Sequence, residues 1–126
     1  LKFNMDEFGF NCELPYGCLN VSGDEKHGFR PDQLLVSSIA VCSGEVLRRV
    51  LKGMRLEVEN IQIETSTEHN KAQANRIEKI CTHFILTGGN LPKEKIEKAL
   101  QLTKKNCPMA QSVIGSIELV QTFEVV

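Results

Sequence analysis

The chain has 126 residues, and its 15 basic and 16 acidic side chains leave a net charge of −1, so no excess positive charge argues for a nucleic acid or an anionic membrane as partner. With 41% hydrophobic residues, six Phe, one Tyr and no Trp, the core must be mainly aliphatic, and the length fits one domain, residues 1–126, large enough to bury it without staples. Five cysteines with no CxxC do not make a secreted disulfide framework and point to reduced thiols in a cytoplasmic setting.

The first residues, LKFNMDEF, lack the charged-then-apolar order of a secretory signal. Because the chain opens on Leu1 rather than Met, further residues are expected before it. Phe8, Phe10, Cys12 and Leu14 alternate with polar or small residues, the period of a strand. Pro15, Tyr16 and Gly17 form a turn, and Cys18 to Val21 return as a hairpin. The polar stretch Ser22 to Gly28 reads as a loop.

Pro31 opens a long helix, with Asp32 at its positive end and Gly53 expected to stop it. Leu35, Ile39, Cys42, Val46 and Val50 form one helical stripe. Small residues around it (Ser37, Ser38, Ala40, Ser43, Gly44) predict that the first half of the helix is buried. The longest nearly apolar run, Leu34 to Cys42, is too short to span a bilayer.

Leu56, Val58, Ile61, Ile63 and Thr65 read as a strand whose phase slips at Asn60, the mark of a bulge. Residues 66–75 are polar and read as a loop or strand ends. Ile80, Thr82, Phe84 and Leu86 form the next strand, which Gly88 and Gly89 stop. Pro92 opens a second helix with Ile96, Leu100, Thr103 and Cys107 on one stripe, and Pro108 ends it. Met109 to Ile114 add a further turn or two, and Ile117 to Val125 form a final strand. This order gives an α+β fold, rich in antiparallel pairing, with two main helices.

Two helices packed through their apolar stripes would bring Cys42 and Cys107 together. A thiol pair can reduce a peroxide: one sulfur becomes a sulfenic acid, and the other condenses with it to a disulfide and water. By spacing alone, burial as small hydrophobes is the stronger reading for both. Cys42 is too far from a helix N-terminus to be activated by it, and Cys107 stands at the negative end of its own helix, with Lys104 and Lys105 beside it. Among the other candidates, Cys12 and Cys18 lack metal-site partners. Cys81 and His83 share a strand face and point the same way, and Glu45 reads as a solvated or paired residue.

The segment Gly28-Phe29-Arg30-Pro31-Asp32-Gln33-Leu34-Leu35, followed by Ser38-Ile39-Ala40-Val41-Cys42, resembles the signature of the OsmC family of osmotically inducible and organic hydroperoxide resistance proteins. Asn106-Cys107-Pro108 followed by Ser112 is similar to that family's second motif, and Thr82 to Gly88 before it is also family-like, so the likeness covers about residues 28–126. The resemblance implies an intertwined α+β homodimer and a thiol peroxidase in oxidative-stress defence, with Cys42 attacking, Cys107 resolving and Asp32 supporting. It implies a small hydroperoxide, an organic one foremost, as substrate and an external dithiol as reductant, with no cofactor, metal, nucleic acid or membrane involved. Asp32 takes the position of a glutamate in the organic hydroperoxide branch. It stands ten residues before Cys42, about 15 Å along a helix, so it does not itself touch the sulfur. In the family an arginine from an N-terminal strand joins the two, whereas residues 1–27 here carry only Lys2 and Lys26 as permanent cations. The alternative reading is therefore a non-catalytic dimer that binds a small apolar ligand at its interface.

Overall fold

The computed structural model describes residues 1–126. The chain forms two compact units, Leu1–Ser37 and Ser38–Val126. The first holds a three-stranded antiparallel sheet of β1 (Asn4–Met5), β2 (Phe10–Glu13) and β3 (Cys18–Val21), in that spatial order. The hairpin falls at Pro15–Gly17, with Leu14 and Gly17 exchanging both backbone hydrogen bonds at 3.0 Å. The Ser22 hydroxyl donates to the Phe8 carbonyl at 2.6 Å and anchors the loop that follows.

Helix α1 (Pro31–Gly53) carries the chain from the first unit into the second. Proline at its first position and Asp32 in its first turn behave as the sequence predicts. Burial does not. The residues out of water are Ile39, Ala40, Ser43, Gly44, Val46, Leu47 and Leu51, none of them in the first two turns of the helix, while Leu35 and Val41 are exposed. Of the small residues, Ala40, Ser43 and Gly44 are buried as expected, whereas Ser37 and Ser38 are exposed, and burial begins only at Ile39. The helix ends at Gly53, as expected, and Arg55, at φ 58°, takes the left-handed position beyond it.

The second sheet has the order β4-β5-β6, with β4 (Asn60–Asn70), β5 (Arg76–Thr87) and β6 (Glu118–Val125). β4 and β5 form a long antiparallel hairpin, turned at Ala74 and Asn75 with positive φ. The phase slip at Asn60 is not a bulge. It marks the change from loop to strand, Leu56 entering the core from the loop, and the irregularity in the pairing lies at Glu68/His69. The polar residues 66–70 are strand, paired with Cys81 back to Arg76.

β5 and β6 run parallel, because α2 (Lys93–Asn106) and α3 (Pro108–Val113) carry the chain back to the same end. Ile80, Thr82, Phe84 and Leu86 of β5 point into the core, as their alternation predicts. Phe84 and Leu86 form the central cluster with Leu47, Leu51, Leu91, Ile96, Ala99 and Leu100. No helix is long and apolar enough to cross a membrane.

Candidate functional site

The second unit brings Cys42 and Cys107 together. Cys42 projects from α1, and Cys107 is the single residue between α2 and α3. Their sulfurs are 3.2 Å apart, both as free thiols. That is beyond the ~2.05 Å of a disulfide and short enough for one thiol to donate to the other. Cys42 is half-buried; Cys107 is 0% exposed and packs with Val46 and Ala110, with Cys42, Val50 and Leu119 around them.

Pro108 does more than end α2. It is the opening residue of α3, and Cys107 caps that helix: its sulfur accepts the Ala110 N–H at 3.4 Å. Cys107 therefore faces the positive end of a helix as well as the negative end of the one before, which corrects the purely negative setting expected from sequence. The Ser43 hydroxyl donates to the same sulfur at 3.4 Å, and the Met109 N–H and the Cys42 thiol also point to it.

These contacts divide the pair. Burial disfavours a thiolate on Cys107, but the Ser43 hydroxyl, the Ala110 N–H, the Cys42 thiol and the Met109 N–H together hold its thiol below the ordinary value. Cys42 goes the other way. Burial pushes its thiol up, and the Met109 N–H and the field of Arg49 offset that only in part.

Arg49 is the cation whose field reaches Cys42. It stands seven residues on, two turns along the same helix, a spacing the sequence displayed. Ser43 and the Met109 and Ala110 amides were not legible as site groups, since a small helical residue and two backbone donors carry no pattern of their own.

Asp32 lies in the Leu1–Ser37 unit. Its carboxylate receives two hydrogen bonds from Arg30, at 3.1 Å from Nε and 3.0 Å from Nη2. Glu45 pairs with Arg48 at 3.0 Å, as a solvated partner would. His83 turns to Thr122 (2.7 Å) and Glu124 (3.1 Å) on the neighbouring strand rather than to Cys81. Lys104 is engaged by the Leu119 carbonyl at 2.8 Å. Ser112 of the second motif donates to the Pro108 carbonyl at 2.7 Å and stays within α3. A cavity of about 410 Å³ adjoins α1, lined by Val41, Gly44, Arg48, Val58, Ile61 and Ile63 among others, and neither sulfur lines it.

A helical thiol beside a capping thiol, set on a mixed three-stranded sheet, defines an α+β protein with a cysteine pair at its helix junction. The family model described as OsmC-like protein matches residues 23–121, and the chain belongs to that family. Solved structures share the fold. A hypothetical protein of Aquifex aeolicus VF5 is 24% identical, with 99% of this chain and 93% of that one covered at a TM-score of 0.87. An OsmC-like protein of Mycoplasma pneumoniae is 13% identical, with 99% and 94% covered at 0.86. An organic hydroperoxide resistance protein OsmC of Legionella pneumophila is 18% identical, with 98% and 94% covered at 0.77. No curated protein matches the chain.

Proposed function

We propose that this protein is a thiol peroxidase that reduces organic hydroperoxides through Cys42 and Cys107. The observation that carries the reading is the 3.2 Å contact between a half-buried sulfur and a fully buried one. Cys42 is the sulfur a peroxide can reach. Its sulfur takes the terminal peroxide oxygen, the O–O bond breaks, and the alcohol leaves with a proton from water. Cys107 then attacks the Cys42 sulfenic acid, forming the disulfide and releasing water. An external dithiol restores both thiols by exchange. The two sulfurs carry both electrons, so the cycle as proposed uses no cofactor. Val46, Val50 and Leu119 around the pair favour an organic over a hydrophilic peroxide.

Asp32 is assigned a supporting part, fixing the Arg30 guanidinium at the start of α1. A homodimer is proposed as the working form. Its support is the apolar surface the single chain leaves in water, with Phe8, Phe10 and Phe29 each about half exposed in the first unit. Sedimentation at equilibrium should give twice the chain mass. Five free thiols suit a reducing cytoplasm.

The test is one equivalent of cumene hydroperoxide followed by mass-spectrometric mapping. The peroxide should disappear as a Cys42–Cys107 disulfide forms. Persistence of the peroxide with both thiols reduced overturns the reading. The cavity beside α1 favours a second reading, a non-catalytic protein that binds a small apolar ligand there. It predicts saturable binding of an apolar fluorophore with no peroxide turnover.

A further inference from the structure

Cys42 is the sulfur a peroxide can reach, and it attacks as a thiolate. Its side-chain neighbours in the cluster of Val46, Val50, Cys107, Ala110 and Leu119 carry no positive charge, and burial is the largest influence on its thiol. A counter-charge must therefore come from beyond the cluster. The elements around the sulfur offer few. Helix α3 has no charged residue. On α2, Lys104 is engaged by the Leu119 carbonyl, and Lys105 is exposed. On β6, Glu118 is exposed and of the wrong sign.

Helix α1 carries three cations beyond Cys42, and two have evident uses. Arg48 donates to Glu45 at 3.0 Å. Lys52 stands in the last turn, where a cation complements the helix dipole. Arg49 has neither use. It is exposed, joins no ion pair, and stands one residue short of that last turn. Seven residues bring it back to the Cys42 face of the helix within about 20°, at about 10 Å along the axis. Helical side chains lean toward the N-terminus, so the long Arg49 stem reaches back along α1 in the direction of Cys42. Its charge is felt at that sulfur.

We propose that Arg49 is the counter-charge of the Cys42 thiolate, a positioning residue that acts on the peroxide only through the sulfur. This rests on the peroxidase reading for the attack itself, while the pairing of Arg49 with Cys42 is measurable without any peroxide. In the step, Cys42 loses its proton to water and Arg49 balances the new charge. An electron pair of the sulfur then forms the S–O bond as the O–O bond breaks, and the alkoxide takes a proton from water. The sulfenic acid is neutral, so the pull of Arg49 on the sulfur ends with the attack. Condensation with Cys107 proceeds without it.

The experiment is iodoacetamide alkylation across pH, read by mass spectrometry on the peptide that carries Cys42, which separates it from Cys12, Cys18 and Cys81. It is run on the full chain bearing Cys107→Ser, so that Cys42 titrates without its neighbouring thiol. Adding Arg49→Gln should raise the Cys42 midpoint by about half to one pH unit, the pull of one charge at a partly solvated site. Arg49→Lys should restore most of it, and Arg48→Gln should leave it unmoved. Salt at about 1 M should raise the midpoint with Arg49 present and leave it alone in Arg49→Gln. With both cysteines in place, Arg49→Gln should slow peroxide consumption near neutral pH about three- to tenfold, as its thiolate fraction falls. An unmoved midpoint in Arg49→Gln overturns the proposal, as does an equal rise in Arg48→Gln. The salt series needs no substitution at Arg49, so a midpoint indifferent to salt overturns it even if Arg49→Gln fails to fold. Midpoints as expected without peroxide turnover in the intact chain would sink the peroxidase reading and leave the pairing standing.

Discussion

Ser43 and Cys107 lie 64 residues apart in the chain and meet in its buried interior, the hydroxyl donating to the sulfur at 3.4 Å. The contact ties α1 to the junction of α2 and α3, and the same sulfur caps α3 through Ala110. Cys107 is therefore a structural acceptor as well as a reactive group. Cys107→Ala should cost about 1–3 kcal/mol in urea unfolding, the penalty for leaving buried donors without a partner. Cys107→Ser keeps an acceptor for them and should cost less. Equal costs for the two variants would mean that the sulfur matters only by its volume.

The two thiols give opposite pH dependences. Cys107 is held below its ordinary value in the fold. Its contribution to stability is fully present above the unfolded value of about 8.5 and is lost as pH falls through the folded value, since the unfolded chain then binds the extra proton. Cys42 is raised. Its contribution is fully present below the unfolded value and is lost as pH rises through the folded one. Relative to the Cys42→Ser, Cys107→Ser double variant, the intact chain should gain stability from neutral pH up to about 8.5 and lose it beyond. Urea midpoints across that range measure it, and a difference that is flat with pH would remove the charge asymmetry of the pair.

Much of this architecture was legible before the structure. Pro31, Pro92 and the alternation of Ile80, Thr82, Phe84 and Leu86 mark their elements because each uses a local rule of backbone or pleat. The two cysteines stand out because residue type, helix stripe and family motif converge on them. The helix face was harder to read. Leu35, Ile39, Cys42, Val46 and Val50 make a valid stripe, yet Leu47 and Leu51 are the side chains at 0% exposure, because the burying surface is set by the sheet and α2 rather than by α1's own periodicity. The polarity of Cys107's surroundings was hidden for a similar reason. The sequence offers a further helical turn after Pro108, but only the three-dimensional path shows that Cys107 caps it and accepts the Ala110 N–H.

That displacement of the buried face can be measured. Leu47 is 0% exposed and sits among Leu51, Phe84 and Ile96 in the central cluster, whereas Val41, on the same helix, is 59% exposed. Leu47→Ala should cost about 2–5 kcal/mol. Val41→Ala should stay within about 0.5 kcal/mol in the monomeric chain. A Val41 cost comparable to that of Leu47 would show that this face is covered in solution, as the proposed dimer allows, and the concentration dependence of the cost would then identify the second copy as the cover.

Gly88 and Gly89 look alike in sequence, as two glycines that stop β5, but their surroundings differ sharply. A side chain at Gly88 would place its Cβ 2.8 Å from the Glu57 carbonyl oxygen and 3.0 Å from Leu91 Cδ1, while at Gly89 nothing lies within 4 Å. The Glu57 carbonyl has little room to retreat, because two residues on the Glu59 N–H is bonded to the Thr87 carbonyl at 2.7 Å. Leu91, itself part of the core cluster, is held as well. Gly88→Ala should therefore destabilise by about 1–3 kcal/mol, the range for forcing an added carbon into a packed site. Gly89→Ala should change stability by no more than about 0.5 kcal/mol. Thermal unfolding of the two variants checks the contrast, and equal effects would show that the loop before β4 yields where its hydrogen bond says it is pinned.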